Sequence, residues 1–354
     1  MTAPGWRPPL SWRLAEARRR VRTVVDTAAD AAGVRKGGTG RWRAVREARE
    51  SEMVQGPEQL YRLTGDGDRA SSGADSLVVA LDGFIDAGNV VSGAVTHLRD
   101  SLPHSLVASF DLDDLMDYRS RRPRVRLEDN VVSEVRWRSL VLERFHDLNG
   151  APFLLLHGPE PDRAWQALTA SIVGLAARLG VDQMVGLLAL PASAPHTRPI
   201  TFVGTATRAD LLPDGWPRFQ TMEVPGALVT VLEHAFGVAG RDAVTAVAQV
   251  PNYLAQADVP HAGAALIQET ARFTGLSLPV DGLLRAAETL DVALVAELAQ
   301  SPENAAMVAD LERQYDAQLA AAGDSAVTGP TVLPTGDELA RQFQNFLAER
   351  EDGH

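Results

Sequence analysis

The 354-residue chain contains no cysteine. Disulfides, thiolate nucleophiles and sulfur-ligated zinc or iron clusters are therefore excluded as features of its chemistry. It also lacks any apolar run approaching the roughly 20 residues that span a bilayer, and no charged-then-apolar stretch at its start resembles a secretory signal. No transmembrane segment is expected, and a cytoplasmic location fits. Positive charge is scarce beyond the first 50 residues. Those 50 hold 12 Lys or Arg against 5 Asp or Glu, a balance of +7, whereas the whole chain carries −12, so the remainder carries −19. A body this acidic argues against general nucleic-acid binding, which draws most of its affinity from neutralising phosphates.

Catalytic signatures are missing as well. There is no Gly-x-Ser-x-Gly elbow, no His-Glu-x-x-His and no EF-hand loop, and the eight histidines show no paired ligand spacing. No catalytic residue, metal site or cofactor is assigned. The nearest approach to a motif is "LVVALDGFIDAGNVVSGAVTHLRDSL", residues 77–102. A continuous apolar run is followed by a Gly-bracketed loop and then by apolar residues at helical spacing, which is a strand, a turn and a helix. Gly83 and Gly88 have the separation of the glycines in a phosphate-binding loop, but Asn89 and Val90 stand where that loop needs lysine and a hydroxyl, and Asp86 adds a negative charge.

Beyond this loop, strand-like and helix-like segments alternate. "HSLVASFDL", "APFLLLHGPEP", "QMVGLLALPA", "ITFVGTAT" and "AVTAVAQVP" read as strands, and "NVVSEVRWRSLVLERF" reads as extended segments with partial alternation. Trp165, Leu168, Ile172, Leu175 and Leu179 form a helical stripe that Gly180 should stop, and "GALVTVLEHAFG" is a second helix. Such alternation predicts an α/β domain whose buried sheet carries helices on both faces. The expected organisation is a basic, disordered segment at 1–52, a linker at 53–76, an α/β core at 77–263, and a mainly helical region at 264–354 with a flexible connector near 321–335. Leu339, Phe343, Phe346 and Leu347 give the last helix an apolar face that should dock.

Three clusters are candidate sites. Asp82, Asp86 and Asn89 follow the first buried strand, at the carboxyl end where open α/β sheets bind ligands, though the acids equally suit a cap on the following helix. "DLDDLMDYRSRRPRVRLED" mixes acids and arginines around Asp117, Tyr118, Arg119 and Arg122, a composition for Arg–carboxylate pairing or for a polar interaction surface. "PASAPHTRPITFVG" sets an imidazole, a hydroxyl and a guanidinium at His196, Thr197 and Arg198 in a Pro-stiffened loop, a set suited to an anionic or carbonyl group.

Six stretches in order, "VVALDGFIDAGN", "DLDDLMDYRSRRP", "PHTRP", "VPNYLAQADVPHAGAALIQETARFTGL", "VADLERQYD" and "PTGDELARQFQNFL", resemble the proteasome assembly chaperone 2 family in its actinobacterial branch, over about residues 77–347. The resemblance implies a three-layer α/β/α sandwich similar to the phosphorylase and peptidyl-tRNA hydrolase architecture, with a helical C-terminal extension. It further implies a homo-oligomer, with a trimer expected, and proteasome subunits as candidate partners, with Asn252 and Tyr253 of the fourth stretch joining Asp117, Tyr118, Arg119 and Arg122 as interaction candidates. Relatives that bind proteasomes often end in a hydrophobic residue, a tyrosine and one further residue, whereas this chain ends "REDGH". The implied function is non-catalytic protein binding of the assembly-chaperone kind. The alternative is a small-ligand binder or enzyme whose phosphorylase-like pocket would draw on Asp82, Asp86, Asn89, His196, Thr197 and Arg198.

Overall fold

Strand formation here follows from runs of Val, Leu and Ala long enough to cross a core but too short for buried helices. The computed structural model describes residues 53–55, 60–64, 73–83 and 86–324. The chain divides into two compact units, Met1–Val54 and Gln55–His354, and the second is described below. Expectations for residues 1–52, for most of the 321–335 connector and for the last amphipathic helix lie outside the described residues.

In chain order the strands are β1 (Tyr61–Thr64), β2 (Ser76–Asp82), β3 (His104–Phe110), β4 (Arg124–Glu128), β5 (Val131–Arg136), β6 (Leu140–His146), β7 (Pro152–Pro159), β8 (Gln183–Ala192), β9 (Phe202–Ala206) and β10 (Asp242–Pro251). The helices are α1 (Val90–Ser101), α2 (Leu112–Leu115), α3 (Trp165–Leu179), α4 (Leu228–Val238), α5 (Pro260–Thr274), α6 (Asp281–Gln300) and α7 (Pro302–Asp324). The main sheet runs β1-β3-β6-β7-β2-β8-β10-β9. Its centre, β7-β2-β8-β10, is parallel, while β1, β3 and β6 pair antiparallel on one side and β9 antiparallel on the other. β4 and β5 form a separate two-stranded hairpin.

Both faces of the centre are covered. Leu77, Val79 and Leu81 enter one core with α3 and α4, whereas the alternate residues Val78 and Ala80 enter the other with α1 and α5. Period-2 side-chain alternation thus feeds two cores from one uninterrupted apolar run, and that gives the three-layer α/β/α sandwich. Gly180 ends α3 in the left-handed conformation at φ 79° and caps it by donating to the Ala176 and Ala177 carbonyls. α5 begins at Pro260, a preferred first helical position, and α6 and α7 extend the helical layer that it starts.

Ordered structure begins earlier than the composition of residues 64–76 suggests. Tyr61 and Leu63 are buried and pair with β3, but only two inward residues alternate in that strand, too few to stand out from the polar stretch that follows. Among the described residues, no helix is long and apolar enough to cross a membrane.

Candidate functional site

The first cluster is built around the turn between β2 and α1. Asp86 Oδ1 accepts from the Val91 N–H at 2.8 Å, and Oδ2 accepts from the Ser92 N–H at 3.0 Å and the Ser92 hydroxyl at 2.7 Å. The carboxylate therefore satisfies the donors that a helix leaves free at its start, occupying the place a phosphate would take. Asn89 adopts φ 49° and donates from Nδ2 to Asp258 Oδ1 at 2.7 Å, while Gly88 exchanges backbone hydrogen bonds with Ala255 and Val259. A Cβ on Gly88 would stand 2.8 Å from Val259, so this close approach requires glycine. Asp86 and Asn89 fasten the turn to the segment leading into α5.

Asp82 points elsewhere. Its Oδ2 lies 3.3 Å from Arg138, and its backbone carbonyl accepts from Arg121 at 3.4 Å. Burial raises the Asp82 carboxyl above its ordinary range; Arg138 opposes this, Asp86 adds to it, and Arg121 opposes it again.

The "PHTRP" loop forms a third, self-contained network. The Tyr253 hydroxyl accepts the His196 backbone N–H at 2.8 Å and lies 2.7 Å from His196 Nδ1. It acts as acceptor to the amide and as donor toward an unprotonated Nδ1. Burial pulls the imidazole below its usual value, with Asp291 and Glu312 opposing and His261 adding. Thr197 donates to Glu312, and Arg198 makes a bidentate pair with Asp316 at 2.9 and 2.8 Å plus a contact to Glu312 at 3.2 Å. The hydrogen bond to Asp316 raises the Arg198 guanidinium above its ordinary value. Thr197 and Arg198 are thereby latched to α7, and Tyr315 adds a hydrogen bond to the Pro199 carbonyl. The six ligand candidates fall into three separate networks, with His196 joined to the interaction candidate Tyr253. Asn252 is exposed and caps a short turn through its carbonyl, which accepts from Ala255.

The acid- and arginine-rich stretch is held by bonds within itself and to the segment after β7, where Arg121 donates to the Glu160 carbonyl at 2.8 Å. Asp117 accepts from Arg119 N–H at 2.9 Å while its own N–H donates to Asp162 at 2.7 Å, and Tyr118 donates to Asp113 at 2.7 Å. That hydrogen bond, helped by burial, pushes the Tyr118 phenol up to about 12. Arg119 and Arg122 remain exposed.

What sequence reasoning missed follows directly after. β4 and β5 meet at Asp129 and Asn130, both at positive φ of 48° and 63°, the backbone of a tight two-residue hairpin turn. One face of the hairpin carries Val125, Val135, Leu127 and Val132, all exposed, with Leu127 at 63 %. The other carries arginines: Arg124 stands directly opposite Arg136 in the register. At its base, Arg122, Arg124, Arg136, Trp137, Arg138 and Asp82 line a cleft of about 320 Å³, floored by Ser139, Gly158 and Pro159 at the carboxyl end of β7. Gly158 is at φ 127°, and a Cβ there would meet the Ser139 carbonyl at 2.2 Å, so the floor needs glycine. The signal was in the sequence: arginines at 122, 124 and 126, then at 136 and 138, recur every second residue about an Asp-Asn turn.

Fold and site define a class: a three-layer α/β/α protein that extends a charged, apolar-faced hairpin from the ends of its parallel strands. The PAC2 family matches residues 80–299, well over half of the chain, and the protein belongs to that family. It is similar to a Mycobacterium tuberculosis protein of unknown function, Rv2714, at 37% identity over 77% of this chain and 94% of that one, with TM-score 0.73. A Corynebacterium glutamicum protein of unknown function matches at 36% identity over 73% and 98% of the two chains, with TM-score 0.70. The M. tuberculosis proteasome-assembly chaperone homologue Rv2125 matches at 29% identity over 66% and 99%, with TM-score 0.61. No curated protein matches the chain.

Proposed function

We propose that the protein is a non-catalytic, assembly-chaperone-like binding protein that works as a homo-oligomer, a trimer by preference, in the cytoplasm. The observation that carries this reading is the exposed apolar face of the hairpin, Val125, Leu127, Val132 and Val135. A two-stranded hairpin is marginal by itself in water, and one that holds four aliphatic side chains out in solvent is more stable when another surface covers them. Candidate clients are proteasome subunits, in keeping with the description of the 29% identical M. tuberculosis relative as a proteasome-assembly chaperone homologue.

Native mass spectrometry of the full chain, alone and mixed with proteasome α- and β-subunits from the same cell, tests the proposal. A trimer that captures α-subunits and falls apart on Leu127→Asp is the expected result. A monomer at micromolar concentration would refute the oligomer, and an oligomer indifferent to every subunit would remove the client.

A further inference from the structure

The apolar face of the hairpin and its arginine face need different partners. Arg124 and Arg136 are register partners on adjacent strands, so their side chains leave the same face a few ångströms apart. Like charges directly opposite each other in a ladder repel, and here Arg122 and Arg138 add two more guanidiniums to the same cleft. Local acids answer only half of this charge. Arg138 pairs with Asp82 at 3.3 Å, and Arg136 pairs with Glu134 at 2.9 Å. Arg122 and Arg124 make no hydrogen bond or ion pair among the described residues. In a chain with net charge −12, two uncommitted guanidiniums beside two committed ones are a local concentration of the rarer sign.

We propose that this cleft binds a small phosphorylated molecule, its phosphoryl group held by Arg122 and Arg124 and a planar group lying against Trp137. Three observations select that chemistry. A phosphate monoester carries about −1.5 to −2 at neutral pH, matching two free guanidiniums where a single carboxylate would leave one unanswered. The guanidinium fork pairs with phosphate oxygens bidentately, and Arg122 and Arg124, two residues apart at the entry to β4, line the same cleft. Trp137 is anchored edge-on by Tyr118 at 5.3 Å between ring centroids and is otherwise largely exposed, so a flat ring can cover it. The cleft, at about 320 Å³, lies at the lower end of the range for small-molecule pockets and outside the carboxyl ends of β2 and β7, where open α/β sheets take ligands. The apolar face of the hairpin points the other way, so ligand and protein partner do not compete for the same side chains.

The probe is adenosine monophosphate, titrated into the full chain by calorimetry, with Trp fluorescence followed in parallel. Saturable binding that inorganic phosphate displaces, that adenosine does not reproduce and that weakens with added salt is expected. Arg124→Ala should weaken it about tenfold or more, the usual loss for a charge-assisted hydrogen bond. Arg124→Lys, which keeps the charge but not the fork, should fall between, and Trp137→Ala should remove the fluorescence response. Since the hairpin lies outside both cores, circular dichroism and the denaturation midpoint should be unchanged in these variants. No saturation at millimolar adenosine monophosphate, binding that is indifferent to Arg122→Ala and Arg124→Ala, or capture of a phosphopeptide in preference to the nucleotide would each overturn the proposal.

Discussion

Two β-structures in this molecule share a backbone and nothing else. In the parallel centre six of the seven β2 residues and six of the eight β7 residues are buried, whereas every residue of the β4 and β5 strands is exposed. Where a polar pair is buried against the centre it is partnered: Glu143 of β6 and His157 of β7, each 9 % exposed at the side chain, meet at 2.7 Å, with Arg99 at 3.2 Å. In the hairpin, apolar residues lack cover and arginines face one another. The centre is organised to hold the monomer together; the hairpin adds little to that and is organised for whatever binds it.

The sharpest test of this contrast compares one residue type in both places. Leu155 is completely buried in β7, and Leu127 is 63 % exposed in β4. Leu155→Ala should lower unfolding stability by about 2–5 kcal/mol, the combined effect of lost burial and the cavity left behind. Leu127→Ala should change it by less than about 0.5 kcal/mol, as surface substitutions do. Urea denaturation at a concentration where the chain is monomeric reads both. Comparable losses would mean that the hairpin is part of the monomer's core after all.

A polar pair gives the next largest effect. Glu143→Ala strips His157 and Arg99 of their shared acceptor and should be worse by about 1–3 kcal/mol. Burial alone would raise the Glu143 carboxyl, but the His157 hydrogen bond and charge, with Arg99 and His104, hold it below its ordinary 4.5. A carboxyl lowered on folding contributes stability that is present above 4.5 and lost as pH falls through the folded value. The acid limb of the stability curve should therefore be shallower in Glu143→Gln than in the wild type; identical limbs would show that the pair does not couple to folding.

In the hairpin the corresponding change runs the other way. Arg124→Glu replaces a like-charge pair by an opposite one across from Arg136. Hydrogen exchange should show the β4 and β5 amides better protected while affinity for phosphorylated ligands disappears. Faster exchange in this variant would mean that the two arginines do not repel.

The fold was legible because burial writes itself into short apolar runs. "LVVAL", "FLLLH" and "MVGLLAL" became neighbouring parallel strands, and Gly180 stopped α3 where its stripe ended. The Tyr61–Thr64 strand was not legible, since two buried residues cannot set a period. The candidate site was legible only in part, because sequence shows which residues are polar but not which are already engaged. Arg198 looked available until a helix more than a hundred residues away supplied Asp316, and Asp86 looked like a ligand group until the next turn of chain consumed both of its oxygens. Residues with no obvious motif, Arg124, Arg136 and Trp137, are the ones left facing solvent. Such partnering depends on register and docking, which spacing along the chain does not report.

The smallest expected effect lies at His196, where a ring that looked catalytic is tied into the structure. Tyr253→Phe removes the hydroxyl that serves both its backbone N–H and Nδ1, and should lower stability by about 1 kcal/mol, one hydrogen bond's net worth. The sign of its pH dependence is fixed by the direction of the shift. Burial holds the folded imidazole below its ordinary 6.5, so between the two values the unfolded chain binds the additional proton. The contribution is complete above 6.5 and declines as pH falls through the folded value. Denaturation midpoints at pH 8, 6.5 and 5 should therefore drop more steeply in the wild type than in His196→Gln, which has no ring to protonate. A wild-type midpoint that rises in that window relative to His196→Gln would mean the imidazole gains its proton on folding, drawn by Asp291 and Glu312. The "PHTRP" loop would then be a charge-bearing site like the hairpin, and the contrast between a satisfied body and an unsatisfied arm would fail at that end of the sheet.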